Sequence, residues 1–333
     1  MSHPAYFDCH CDTLGELFRN PDASLLTGAP HVRIDDMCDY DHYVQFCAIF
    51  SNMGAYMQEQ CKSEEEFNRK VQEGGIVPTP AFYEHYEALI RIFNEQAAKY
   101  PDRLRACRNV ADIDQARKEG KPAVVLTMEG SEQLGETSVE DAYRRGIRAC
   151  TLTWNYANTV GGTQVTGGGL TDYGVEFLRR CEDVGMLVDV SHSSEALFYD
   201  VARLCRKPFI ASHSNARHIG RHRRNLTDEQ FLAICRAGGV AGLNLYASFI
   251  KDEGTCTIDD CCEHIEYFLT LGGAKHIAMG ADLDGCSTLP EGIDGSGDVW
   301  KIADRLAKRK VPLSVIEDIF YNNIYRVCKE VWK

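Results

Sequence analysis

Phe7-Asp8-Cys9-His10-Cys11-Asp12-Thr13 is the stretch on which the reading of the chain turns. It ends a short apolar run, 5–9, and sets an imidazole and a carboxylate two residues apart just beyond it. Side chains two apart on a strand point the same way, so His10 and Asp12 can grip one cation from one direction. A lone His-x-Asp pair is a weak signal, since such pairs usually sit on solvated loops. Its weight comes from what ends the later runs.

Seven further runs follow, at 44–50, 123–128, 147–153, 187–190, 209–212, 240–245 and 277–281. Several are continuously apolar rather than alternating, the pattern of parallel strands buried on both faces. Helical patterns lie between most of them. Residues 83–99 place Tyr83, Tyr86, Leu89, Ile90 and Phe93 on one face. Thr171 and Asp172 cap a helix running through Val184, Ser193 and Ser194 open 195–205, and Thr227 with Glu229 and Gln230 opens another. Thr257 and Asp259 begin 260–271, and a helix over 314–332 closes the chain. Eight strands alternating with helices, without a Pro/Ser/Gly-rich linker, predict a single (β/α)8 TIM barrel over residues 1–333. A doubly wound open sheet is the competing architecture, but it needs a phosphate-binding glycine loop after the first strand, and Leu14-Gly15-Glu16 is not one. The glycine-rich piece 160–169 reads as a mobile loop at the barrel mouth, and 51–76 as an excursion over it with 61–73 helical.

Composition narrows the function classes. A chain of 333 residues with 44% hydrophobic content can bury a large core. The net charge of −13 and the lack of a basic stripe argue against nucleic acid as a partner. The 15 cysteines are odd in number, show no CxxC spacing and follow no secretory leader, so free thiols and a cytoplasmic location are expected. No apolar run is long enough to cross a bilayer, and no membrane partner is expected.

Barrel active sites gather at the C-terminal ends of the strands. The runs here end in His10 and Asp12, Glu129, His192, His213, and Asp282 with Asp284. Ionisable groups following buried strands need compensation, and a shared metal supplies it economically. Three imidazoles and two carboxylates suffice for a pair of divalent ions with one carboxylate bridging. Nitrogen and oxygen ligation without thiolate suits Zn2+, with Mn2+, Co2+ or Fe2+ as alternatives. Two such ions hold a hydroxide between them and polarise a carbonyl or phosphoryl oxygen, which is hydrolase chemistry.

These residues, in order and spacing, resemble the membrane (renal) dipeptidase family of metal-dependent barrels. The resemblance runs over nearly the whole chain, through His10-Cys11-Asp12, Glu129-Gly130, Asp189-Val190-Ser191-His192, Ser212-His213-Ser214, Arg224-Asn225-Leu226 and Gly280-Ala281-Asp282-Leu283-Asp284-Gly285. It implies a dinuclear zinc dipeptidase that often accepts a D-residue at the C-terminal position, as well as frequent dimerisation. It further implies that His10 and Asp12 hold one zinc, His192 and His213 the other, and Glu129 bridges. Asp282 is then the general acid/base and Arg224 the anchor for the substrate carboxylate. A guanidinium recognises a carboxylate through two parallel hydrogen bonds, which restricts a closed site to very short peptides. Asp284 shares a side with Asp282 and stays open as an alternative acid/base.

The chain departs from that pattern in two places. Many animal members carry a substrate-contacting histidine after the fourth strand, where this chain reads Leu152-Thr153-Trp154-Asn155-Tyr156-Ala157-Asn158. Asn155 can donate a neutral hydrogen bond to an oxyanion but cannot supply a proton. Cys9 and Cys11 flank His10, and alternation points Cys11 away from the ligands. Animal members also carry a signal peptide and a lipid-anchor signal, and neither is visible here. His3, His31, His42, His85, His218, His222, His264 and His276 end no apolar run and read as surface or satisfied core groups. Arg221 and Arg223 compete with Arg224 for the anchoring role, and Trp154, Tyr156 and Tyr246 either line the pocket or pack the core. Three rival functions remain: hydrolysis of another small carboxylated amide, lactam or N-acyl amino acid; a phosphotriesterase-type reaction, which favours His-x-His on the first strand; and a catalytically silent metal-binding barrel.

Overall fold

In the computed structural model, residues 3–28, 30–58, 61–72, 79–135 and 137–333 are described. Eight parallel strands carry the fold: β1 (Tyr6–Cys11), β2 (Tyr43–Ile49), β3 (Ala123–Glu129), β4 (Ala149–Thr151), β5 (Leu187–Asp189), β6 (Ile210–Ala211), β7 (Val240–Leu243) and β8 (Ile277–Met279). Each pairs with the next, and Asp8 of β1 pairs with Met279 of β8, so the sheet closes on itself. This is the (β/α)8 barrel that the eight apolar runs predict; every run overlaps its strand, and β1, β2 and β3 extend one or two residues beyond theirs. A two-residue strand, Arg105–Ala106, lies beside the start of β3 as an accessory.

Two apolar layers result from strand alternation. Phe7, Val44, Phe46, Ala123, Val125, Ala149, Leu187, Ile210, Val240 and Ala278 face inward, at least one from every strand. They form one buried cluster with Ile324, Val327, Val331 and Trp332, so the last helix packs onto the barrel floor. The complementary strand residues, such as Val124, Leu126, Met128, Val188 and Met279, pack outward against Leu14, Phe177, Ile234 and Phe268 of the surrounding helices.

Helix starts follow local chemistry. Thr171, Ser194 and Thr227 accept from the backbone N–H three residues on, and Thr227–Gln230 completes a capping box. Thr257 forms a box with Asp260 ahead of Ile258–Thr270. The helix anticipated from Tyr83 starts earlier, at Pro80, because Thr79 caps it and proline suits a first turn.

Three expectations need correction. The glycine-rich piece is a β-hairpin, with Gly161–Thr163 antiparallel to Gly167–Leu170. Its glycines serve close approach: a Cβ on Gly162 would lie 1.7 Å from the Gly167 carbonyl oxygen. The hairpin is pinned to the barrel by Gln164 N–H donating to the His192 carbonyl at 2.9 Å and Leu170 N–H donating to Asp200 at 3.0 Å. The helix anticipated over 314–332 is interrupted by a π turn, Asp318–Asn322, between Leu313–Glu317 and Asn323–Val331. The excursion holds two helices, Met53–Gln58 and Glu64–Gln72. The second starts after Ser63, whose hydroxyl accepts from Glu66 N–H, rather than at Cys61, and residues 73–76 lie outside those described. Phe67 meets Tyr156 edge-on at 6.0 Å, which docks the excursion on the loop after β4.

Because Ile324 is fully buried against the barrel floor, Ile324→Ala is expected to cost about 2–5 kcal/mol. Denaturant unfolding that shows no loss would place the last helix outside the core.

Candidate metal centre

Simple alternation would turn His10 out of the barrel with Tyr6. Phe7 and Cys9 belong to the interior cluster, whereas Tyr6 and Cys11 belong to the outer layer, so β1 changes face between Cys9 and Cys11. Asp8 pairs with Gln45 but Cys11 pairs with Cys47, so three steps on β1 match two on β2. This β-bulge re-aims His10 into the mouth. The buried Asp8 carboxylate braces it, accepting from His10 N–H at 3.2 Å, Ala281 N–H at 2.8 Å and the Tyr6 hydroxyl at 2.9 Å. Burial lifts the Asp8 carboxyl to about 6. The same bulge sends Cys11 to the side opposite His10, where it packs beside Cys47 in the outer layer, away from the ligand atoms.

The remaining groups come from other strand ends. Glu129 is the last residue of β3, and His192, His213 and Asp282 lie just past β5, β6 and β8. His192 and Asp282 adopt left-handed backbone, with φ of 67° and 59°, and Asp284 does so at 64°. Non-glycine residues rarely occupy this region, and their clustering at one rim marks a functional site. Glu129 divides its oxygens: Oε2 lies 3.8 Å from His10 Nε2, while Oε1 lies 3.0 Å from His192 Nε2 and 3.4 Å from His213 Nε2. His10 Nε2 also stands 3.7 Å from Asp12 Oδ1 and 3.7 Å from Asp282 Oδ1. Two overlapping groups capable of holding metal result, His10–Glu129–His213 and His10–Asp12–Asp282.

Hydrogen bonds outside the centre set the imidazole tautomers. His192 Nδ1 lies 3.0 Å from Asn155 Oδ1, an oxygen that accepts only, so the ring proton sits on Nδ1. Ser212 Oγ donates to Asp189 Oδ2 at 2.5 Å and so accepts from His213 Nδ1 at 2.7 Å. Both rings therefore turn Nε2 lone pairs inward, where the two nitrogens face each other at 3.0 Å. Asp189 is itself held by Ser191 N–H, Ser212 N–H and the Thr151 hydroxyl.

Electrostatics point the same way. Burial pushes Glu129 and Asp12 well above the usual carboxylate range, and neighbouring carboxylates push them further. Burial holds His192 and His213 well below the ordinary imidazole value, and lowers His10. His10 Nε2 and Asp12 Oδ1 are buried with no hydrogen-bond partner. A cluster of inward lone pairs without donors fits divalent cations, and its nitrogen and oxygen composition fits zinc.

Around this cluster the anticipated residues sort clearly. Arg224 is buried, donating from Nη1 to Ser214 Oγ at 3.1 Å and from Nη2 to the His213 carbonyl at 3.2 Å, with Nε lacking a partner. Arg221, at 89% side-chain exposure, is not comparable. Asp284 is committed elsewhere, accepting from the Thr13 hydroxyl at 2.6 Å and His31 N–H at 2.8 Å. Asp282 instead keeps Oδ1 toward the centre while Asn244 Nδ2 donates to Oδ2 at 2.9 Å. The carboxamide oxygen of Asn155 is shared between His192 and Gln164 Nε2, the latter at 2.8 Å, so this side chain orients a ring of the centre. Trp154 packs between Phe50 at 4.8 Å and Tyr156 at 5.5 Å, near His192. His192 lies outside both groups, although its Nε2 stands 3.0 Å from both Glu129 Oε1 and His213 Nε2; of the remaining histidines, His264 bonds Ile250, His276 bonds Gly239, and His218 stacks on Tyr267.

Asn244, Asp189, Ser212, Gln164 and Asp8 have positions here that the sequence pattern does not assign. Asn244 had a signal, a lone carboxamide inside the apolar run 240–245. Ser212→Ala removes the acceptor that fixes the His213 tautomer. It is expected to weaken metal binding about 10–100-fold without unfolding the barrel, measured by chelator competition. Unchanged affinity would mean that the ring is oriented by packing alone.

Comparison with known proteins shows the family. The family model for membrane dipeptidase (peptidase family M19) matches residues 1–333. An uncharacterized protein from the pqqA 5′ region of Klebsiella pneumoniae is 32% identical over 73% of this chain and 95% of its own. An uncharacterized dipeptidase of Schizosaccharomyces pombe is 34% identical over 64% of this chain, a match spanning 54% of that protein. Among solved structures, a metallopeptidase from Rhodobacter sphaeroides, bound to a phosphinate mimic of L-Ala-D-Ala, superposes with a TM-score of 0.82. It is 24% identical, with 99% of this chain and 100% of that one covered. A dipeptidase described as a family M19 metallopeptidase superposes with a TM-score of 0.84 at 23% identity, covering 99% of both chains. Residues 1–333 thus belong to the membrane dipeptidase family, peptidase family M19, and the chain is a metallo-dipeptidase of that family.

Proposed function

We propose that this dipeptidase works at a dinuclear zinc centre, with His10 and Asp12 on one ion, His192 and His213 on the other, and Glu129 between them. The observation that carries the reading is the division of Glu129, one oxygen toward His10 and the other toward the facing His192 and His213. Bound there, the ions would supply Lewis acidity and lower the pKa of water.

The chain's own groups do the rest. Asp282 Oδ1 points into the centre while Asn244 fixes the other oxygen, so the carboxylate can accept a proton from attacking water and return it to the leaving amine. Arg224 is held rigidly by Ser214 and the His213 carbonyl, with Nε left for a substrate carboxylate. Substrates of the L-Xaa-D-Xaa type fit this reading, since the R. sphaeroides protein was solved with a mimic of L-Ala-D-Ala. We place the enzyme in the cytoplasm, where its 15 free thiols stay reduced. Among the described residues, no helix is long and apolar enough to cross a membrane.

Asp282→Asn is expected to keep its metal and lose most of kcat; normal turnover would remove the acid/base role. Arg224→Ala should raise KM for free dipeptides far more than for C-terminal amides, and equal effects on both would end its role as anchor. Purified protein assayed on L-L and L-D dipeptides, with metal analysis of the same sample, separates the rivals. Two metals without dipeptide cleavage would favour another small carboxylated amide. No metal after reconstitution would sink the dinuclear reading.

A further inference from the structure

Beyond Glu129 the chain turns through Gly130 into a short 3-10 helix, Ser131–Leu134. Against it lies a cavity of about 100 Å³, lined by Met53, Tyr83, Glu132, Asn158, Tyr173 and Phe177 among others. None of the candidate metal ligands lines it. Its rim reaches solvent at Tyr173, which is 47% exposed.

Glu132 is 8% exposed and folds back over Gly130, where a Cβ would lie 2.4 Å from its Oε1. Gly130, at φ 87°, is thus required both by its backbone and by this carboxylate. Asn158 Nδ2 donates to Glu132 Oε2 at 2.7 Å, but the buried Oε1 has no hydrogen-bond partner. A buried carboxylate oxygen without a donor is costly, so the position calls for one.

The surroundings select the kind of donor. A divalent ion needs several oxygen or nitrogen ligands. Here Asn158 is spent: Nδ2 also donates to Ser131 Oγ and the Leu152 carbonyl, and Oδ1 accepts from Val160 and Gly161 N–H. One carboxylate oxygen beside Tyr83, Tyr173, Phe177 and Met53 suits an organic cation, because aromatic faces attract positive charge and the methionine and rings cover carbon. Among the described residues, no arginine, lysine or histidine lines the cavity, so they offer no cationic partner to the carboxylate of an amino acid or peptide.

We propose that this chamber binds a compact alkylammonium ion, its N–H groups on Glu132 Oε1 and its carbon chain against the aromatic wall. Burial raises the Glu132 carboxyl to about 7, and the positive charge of a bound ammonium ion would favour its ionised form. Gln133, next on the same turn, donates to the Glu129 carbonyl at 3.3 Å, so the chamber shares its backbone support with the metal centre.

The test uses metal-loaded protein and n-propylammonium chloride, with 1-propanol as neutral isostere and sodium chloride at equal ionic strength. Propylammonium alone should raise the thermal unfolding midpoint, and calorimetric titration should give one site per chain. Glu132→Gln should weaken binding about tenfold or more, with dipeptide cleavage monitored as a check on folding. Tyr173→Ala, at the rim, should also weaken it and covers the case in which Glu132→Gln does not fold. A soaked crystal should show the nitrogen on Glu132 Oε1. No shift, a shift matched by sodium chloride or 1-propanol, or undiminished binding in both variants would overturn the proposal. Since none of the binding readouts requires dipeptides to be the substrate, its failure is separable from failure of the dinuclear reading.

Discussion

Glu129 is a carboxylate sealed at the end of a buried strand, with both oxygens aimed at imidazole nitrogens, of which those of His192 and His213 have no proton to offer. Much of the mouth follows from that arrangement. Three rings meet in one region, so each ring's outward nitrogen or backbone is fixed elsewhere. Asn155 does this for His192, the Ser212–Asp189 pair for His213, and the bulge braced by Asp8 for His10. The centre is a set of mutually repelling acceptors that folding alone leaves uncompensated, and the surrounding hydrogen bonds hold it in that state.

The strands, and the candidate residues that gather at their ends, were legible because both are written locally. A buried parallel strand is a short apolar run, and the residue ending it is the one that meets the mouth. His10, Glu129, His192, His213 and Asp282 could each be picked out that way. The hairpin at Gly161–Leu170 was not, because a glycine cluster signals freedom and close approach alike, and only the Gly162–Gly167 contact tells them apart. The bracing groups were also hidden. Asp189 meets Ser212 across two strands, and Gln164 reaches Asn155 from a hairpin, so neither pairing has a fixed spacing in the chain.

Asp282 and Asp284 show how a two-residue offset can mislead. Alternation makes them equivalent, but both residues are left-handed and the local chain is no strand. Thr13 and His31 claim Asp284, while Asn244 leaves Asp282 one oxygen facing the centre. Arg224 differs from Arg221 in the same manner, by burial rather than by chemistry. Identity of residue type set the candidates, and partners chose among them.

Closure of the barrel through Asp8 and Met279 bears on how the chain is made. Contacts between segments so far apart form late, since a long loop must be closed before they reward it. During synthesis His10 emerges long before Asp282 and the helix that seals the floor. A nascent chain can therefore assemble the layer outside β1 to β4 while its cation-binding pocket is still missing a wall. A ribosome-bound fragment that stops short of β8 therefore carries the histidines of the site without the closing strand or Asp282.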